Sequence, residues 1–139
     1  MKKRNLSILL ILLTIAFAAC SGNNLTDVSQ LEDQTWVLTS YNVTQPVDGH
    51  QPTLEFDADQ ISGTTGCNHY GGTYQIEGDT IHFKGVFNTE MACLEPEGLM
   101  DQERIYLELL QSADHFEFID GTLTLYAEAN PILVFVEGQ

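Results

Sequence analysis

The chain has 139 residues, of which 43% are apolar, 9% aromatic and 18% charged. This is enough apolar content for one packed domain, too much for a disordered segment and too short a chain for two domains. Five Lys and Arg stand against 20 Asp and Glu, for a net charge of -15 and a pI near 4.2; such an acidic protein repels phosphate backbones, which excludes a general nucleic-acid partner.

Three of the five basic residues, Lys2, Lys3 and Arg4, precede an apolar run from Leu6 to Phe17 that is interrupted by Ser7 and Thr14. At about 12 residues the run is shorter than the roughly 20 that span a bilayer, and it ends on Ala18-Ala19, so residues 1–19 read as a secretory leader. The stretch Leu13 to Cys20 resembles a bacterial lipobox, with Phe17 where Leu is usual. That resemblance implies diacylglycerol on Cys20, cleavage before it and a membrane partner reached through lipid. An exported, cell-envelope location follows as an expectation. Ser21, rather than Asp, is the type expected on lipoproteins sent to the outer membrane where a cell has two membranes; with one membrane, the outer face of the cell membrane is expected. Residues 20–34 are expected to form a polar tether and residues 35–139 the domain. Once the leader is removed, only Lys84 and Arg104 remain against the 20 acids.

The domain reads as strands separated by short turns. Trp36 to Val43 is rich in β-branched and aromatic residues and forms a first strand. Thr53 to Phe56 and Gln60 to Gly63 flank a turn at Asp57-Ala58-Asp59, and Tyr70 to Ile76 and Thr80 to Phe83 flank Gly78-Asp79. Phe116 to Ile119 pairs with Thr122 to Tyr126 across Asp120-Gly121, and Ile132 to Val136 closes the chain. Between these hairpins, Glu95-Pro96-Glu97-Gly98 leads into a helix over Leu99 to Gln111, where a proline and acids suit a helix start. At about 100° per residue, Leu99, Tyr106, Leu107 and Leu110 share one face, and Glu103 falls inside that apolar stripe. A carboxylate there needs a partner. The fold expected is mostly β (α+β), a small antiparallel β-barrel-like or strongly bent sheet with one covering helix. Trp36, Phe56, Phe83 and Phe135 would fill its interior, or else leave it open to a hydrophobic ligand.

The densest segment runs from Gly63 to Tyr74, with four glycines and a Cys67-Asn68-His69 run. Glycine at that density implies positive φ or close backbone approach. Gly63, Gly66, Cys67, Asn68, Tyr70 and Gly72, then Thr89, Glu90, Met91, Ala92 and Cys93, then Glu103, match in order and spacing the META domain family, which includes the HslJ-like heat-shock and envelope lipoproteins. Trp36-Val37-Leu38 and Leu123-Thr124-Leu125 extend the match over nearly all of Trp36 to Val136. The resemblance implies a compact barrel-like domain with one helix and a link to stress or antibiotic tolerance. It supplies no reaction, cofactor or metal.

Cys67 and Cys93 are the two cysteines left once Cys20 is lipidated, and a pair in an exported chain is most simply a disulfide. A separation of 26 residues makes such a link worth on the order of 3 to 4 kcal/mol. The rival is a reactive Cys67 thiolate helped by His69, as in a cysteine hydrolase or thiol oxidoreductase. His50, His69, His82 and His115 have no metal-ligand spacing, and Asp57 and Asp59 lack the further oxygens of a calcium loop. Glu103 reads either as a buried carboxylate bonded to the Gly63 to Tyr74 loop or as an acid of raised pKa lining a cleft. Three functions compete: a non-enzymatic envelope lipoprotein that binds a protein or hydrophobic partner, a thiol enzyme, and an inhibitor or assembly module that binds one particular partner.

Overall fold

The computed structural model describes residues 28–138; the leader, the lipobox and Cys20 lie outside the described residues. Eight antiparallel strands follow one another around a closed barrel: β1 (Thr35–Tyr41), β2 (Thr53–Asp57), β3 (Gln60–Thr64), β4 (His69–Glu77), β5 (Thr80–Asn88), β6 (His115–Ile119), β7 (Thr122–Ala127) and β8 (Asn130–Glu137). One helix, α1 (Leu99–Ser112), joins β5 to β6. Closure comes from β8 pairing back onto β1, with Val37 opposite Val136 and Leu38 opposite Phe135.

Strand alternation sets the interior. Leu54 and Phe56, Ile81 and Phe83, Leu123 and Leu125, and Leu133 and Phe135 all point inward, because side chains two apart share a face of a strand. Trp36 and Phe135 are fully buried, and Phe56 and Phe83 join the same core, so the interior is filled by the chain's own side chains. Trp36 meets Phe118 edge-on at 5.5 Å, and Phe56 meets Tyr74 at 5.0 Å, the arrangement that ring quadrupoles favour.

The domain starts earlier than residue 35. A 3-10 turn at Val28–Gln30 leads to Leu31, which is fully buried, and the Leu31 carbonyl accepts the Trp36 indole N–H at 3.0 Å. Leu31 is an isolated apolar residue in a polar stretch, which is why the sequence pattern assigns it to the tether. The first strand ends at Tyr41 instead of Val43, because Asn42 and Val43 both take positive φ in a tight turn closed by the Tyr41 and Thr44 backbones. β5 continues past Phe83 to Asn88: Gly85, at φ 60°, sits in a bulge opposite Gly72, which absorbs one extra residue without ending the strand.

β5 and β6 are registered at Thr80 and His115, flanked by Ile81 N–H to Asp114 O at 3.1 Å and Phe116 N–H to Asp79 O at 2.9 Å. From there the two strands run apart, and α1 packs against β5, covering an edge that would otherwise be open. Helix burial follows the expected face at Leu99, Glu103, Tyr106 and Leu110, while Leu107 is only half-buried and Gln102 is buried in its stead. Pro96 and the two glutamates beside it precede the first turn; the chain enters α1 through Gly98 at φ 89°, and Asp101 is the acid of the first turn. Among the described residues no helix is long and apolar enough to cross a membrane.

Candidate functional site

The loop between β3 and β4 is folded by its own hydroxyls. Thr65 N–H donates to the Asn68 carbonyl at 2.8 Å, Asn68 N–H donates back to Thr65 Oγ1 at 3.0 Å, and Gly66 N–H donates to Thr64 Oγ1 at 3.1 Å. Such local bonds hold a turn that neither helix nor sheet would hold. Gly66 has φ 94°, and a Cβ there would lie 2.3 Å from the His50 carbonyl oxygen. Gly63 is required by space alone, since its Cβ would fall 2.1 Å from the Thr53 carbonyl oxygen.

This turn delivers Thr65 and Asn68 to Glu103 on α1. Thr65 Oγ1 donates to Glu103 Oε2 at 2.5 Å, and Asn68 Nδ2 donates to Oε1 at 3.1 Å. Asn88 Nδ2, at the end of β5, is 3.5 Å from the same oxygen. A buried carboxylate is tolerated where charge-assisted donors replace its water. Asn68 also matches the backbone of residue 91 as a second peptide group would: Nδ2 donates to Met91 O at 3.1 Å, and Oδ1 accepts from Met91 N–H and Thr89 Oγ1, both at 2.8 Å. Next to Glu103 on the helix, Gln102 donates from Nε2 to the carbonyls of His50 (2.8 Å) and Thr65 (3.0 Å) and accepts Val47 N–H at 2.7 Å.

Thr65, Asn68, Gln102 and Glu103 are the buried polar side chains among the described residues, and all four belong to this cluster. No buried side-chain nitrogen or oxygen among the described residues lacks a hydrogen-bond partner. The cluster therefore ties the β3–β4 loop, the segment after β5 and the helix to one another. A further buried pair lies beside it: Tyr70 Oη donates to Thr53 O at 2.7 Å, and the Tyr106 hydroxyl is 2.7 Å from that of Tyr70. Burial pushes the Tyr70 phenol well above its ordinary pKa, with the neighbouring Tyr106 and Glu55 adding to the effect, and burial raises Tyr106 as well.

Cys67 and Cys93 are joined as a disulfide, their Cα atoms 6.0 Å apart. The sulfur of Cys67 lies 3.6 Å from Met91 O and 4.0 Å from Met100 Sδ. In this state Cys67 offers no thiolate for attack. The His69 side chain is exposed, and its backbone is tied to Thr89 through Thr89 N–H to His69 O at 2.9 Å. Together with Glu55, Ser62, Thr64 and Tyr70 it lines an open cleft of about 260 Å³.

The histidines lie apart. His50 Nδ1 is 3.2 Å from Gly66 O, and His115 Nδ1 is 2.7 Å from Asp114 Oδ1. That hydrogen bond raises the His115 pKa and lowers that of Asp114. No group of three or more His, Cys, Asp or Glu among the described residues is placed to hold a metal ion.

Of the residues singled out from the sequence, the structure brings together Gly63, Gly66, Cys67, Asn68, Tyr70, Thr89, Met91, Cys93 and Glu103 around this cluster, whereas Ala92 is exposed and Gly72 faces Val86 in the bulge. Gln102 was missed. Its signal was present, since it lies about 60° from Leu99 on the helical wheel, within the buried arc.

A small closed antiparallel barrel, with one helix held to it by a buried carboxylate cluster and a disulfide joining the β3–β4 loop to the segment before that helix, defines the class of this domain. The META domain family profile matches residues 29–139. The chain belongs to the META domain family. It is similar to a protein from Burkholderia xenovorans solved by NMR, at 23% identity with 99% of both chains covered and a TM-score of 0.63. A second NMR structure matches at 24% identity and a TM-score of 0.62, over 78% of this chain and 92% of that one. The crystal structure of a DUF4847 family protein from Bacteroides vulgatus matches at 15% identity and a TM-score of 0.60, over 78% of this chain and 94% of the other. At these identities the likeness is one of fold. No curated protein sequence matches the chain.

Proposed function

We propose that this protein is a lipid-anchored cell-envelope protein whose META domain is a non-enzymatic binding and structural module, acting in stress response or antibiotic tolerance. The observation that carries the non-enzymatic reading is the internal satisfaction of the Glu103 cluster. A carboxylate that accepts from Thr65, Asn68 and Asn88 has both oxygens engaged by the protein itself, where a catalytic acid faces its substrate. With Trp36, Phe56, Phe83 and Phe135 packed in the interior, a partner is met on the outer surface. The anchor rests on the sequence from Lys2 to Ser21, and stress response on the family resemblance.

Intact mass of the protein purified from its native host, before and after reduction with alkylation, tests this reading. The expected result is a chain starting at diacylated or triacylated Cys20, with two alkylation sites that appear after reduction. An unlipidated chain with Cys67 free before reduction overturns it and makes thiol chemistry at Cys67 and His69 the leading function.

A further inference from the structure

The segment that Asn68 and the disulfide hold in place, together with the first turn of α1, presents three large apolar side chains to solvent. Met91 is 54% exposed, Leu94 80% and Met100 40%. Their residues lie beside the disulfide. Met100 Sδ accepts Cys93 N–H at 3.4 Å and lies 4.0 Å from Cys67 Sγ, the Met91 carbonyl is 3.6 Å from that sulfur, and Leu94 follows Cys93. The backbone beneath the patch is fixed by the disulfide and by the paired bonds between Asn68 and Met91, so a partner meets a surface that is already ordered. Methionine adds a flexible, polarizable contact that adapts to different apolar faces.

Charge selects the occupant. Residues 87–101 hold Glu90, Glu95, Glu97 and Asp101 and no Lys, Arg or His, and all four carboxylates are exposed. The next base along the chain, Arg104, pairs with Asp101 at 3.8 Å and with Glu108 at 3.2 Å. An anionic lipid surface is repelled by this frame, and a second copy of the chain would bring the same four acids against it. A chain with an apolar face and flanking cations is attracted by both features at once.

We propose that the Met91, Leu94 and Met100 surface docks a cationic amphipathic peptide, its apolar face on these three side chains and its Lys or Arg residues against Glu90, Glu95, Glu97 and Asp101. This rests on the reading of the domain as a binding module and names the chemistry of its partner.

The test uses the mature protein from its native host in phosphatidylcholine nanodiscs, with fluorescence anisotropy of a labelled Lys/Leu peptide of about 14 residues at helical spacing. Signal from empty discs is subtracted. Binding is expected to weaken about tenfold or more between about 50 and about 300 mM salt. The triple variant Met91→Gln, Leu94→Gln, Met100→Gln is expected to lose about tenfold in affinity, and Glu95→Gln with Glu97→Gln to flatten the salt dependence. Ile119→Gln, an exposed apolar residue on the β6–β7 hairpin, is expected to bind as the unsubstituted protein does. If the triple variant unfolds at a lower temperature, Leu94→Gln alone carries the comparison. Absence of peptide binding, or equal loss in Ile119→Gln, overturns the proposal. So does tighter binding to phosphatidylglycerol vesicles, or a dimer in sedimentation that the triple variant abolishes. The mass measurement reports separately on anchor and disulfide, so failure here leaves the envelope-lipoprotein reading intact.

Discussion

Replacing Glu103 by Gln removes one charge and almost no volume, which makes it the cleanest perturbation of the buried cluster. Glu103 presents two oxygens to donors: Oε1 to the amides of Asn68 and Asn88, and Oε2 to the Thr65 hydroxyl. With the Gln oxygen placed toward Asn68, its NH2 faces Thr65 Oγ1. The Thr65 proton must then turn to the Asn68 carbonyl at 3.2 Å. Every polar group finds a partner again, but bonds to a charged acceptor, worth about 1.5–3 kcal/mol, become neutral ones worth about 0.5–1.5. The expected cost is about 1–2 kcal/mol, seen as a lower urea midpoint at unchanged slope and a fall in Tm of about 4–8 °C. Glu103→Ala additionally leaves an Asn68 N–H without an acceptor and opens a void, for about 2–4 kcal/mol. In a double-mutant cycle with Thr65→Val, the two sites should couple by about 1 kcal/mol. A Gln variant as stable as the original, or more so, would refute the reasoning, because a carboxylate that costs stability where it sits is one kept for a ligand.

The remaining predictions concern the straps, the turn and the surface. Removing the disulfide with Cys67→Ser and Cys93→Ser is expected to cost about 3–4 kcal/mol by freeing a loop of 26 residues in the unfolded chain, measured by urea unfolding; a cost below about 1 kcal/mol would mean that Asn68 alone holds the segment. Gly66→Ala meets the His50 carbonyl oxygen at 2.3 Å and should cost well over the roughly 1–2 kcal/mol expected at Gly78→Ala, where φ is also positive but the space is open; equal losses would contradict the close-approach argument. His115 should titrate above 6.5 and Asp114 below 3.8 by NMR, with Asp114→Asn moving His115 back toward its ordinary value. The sign follows: the raised histidine adds stability below pH of about 6.5 that fades as pH rises through its folded pKa, and the lowered aspartate adds stability above pH of about 4 that fades as pH falls through its own. The pair thus favours the fold in mildly acidic solution, and its effect should shrink with salt because both groups are exposed.

Alternation of apolar and polar residues, with turns at Asp57 to Asp59, Gly78-Asp79 and Asp120-Gly121, was sufficient to place three hairpins and the closing strand, because strand and turn chemistry act over a few residues. Helical spacing likewise put Leu99, Glu103, Tyr106 and Leu110 on one face. Leu31 and Gln102 were legible only weakly: a single apolar residue makes no period, and a glutamine on a buried arc reads as an exception until its partners are known. The sequence could state that Glu103 needed partners and that Cys67 and Cys93 made a pair. Their identities required the tertiary structure, since the β3–β4 loop lies 20 residues or more along the chain from both the segment after β5 and the helix, as in the bonds from Thr89 to Asn68 and from Thr65 to Glu103. Barrel closure through β1 and β8 was also a tertiary decision. It joins the two ends of the domain, and no local pattern encodes a contact whose register is set by every strand between them.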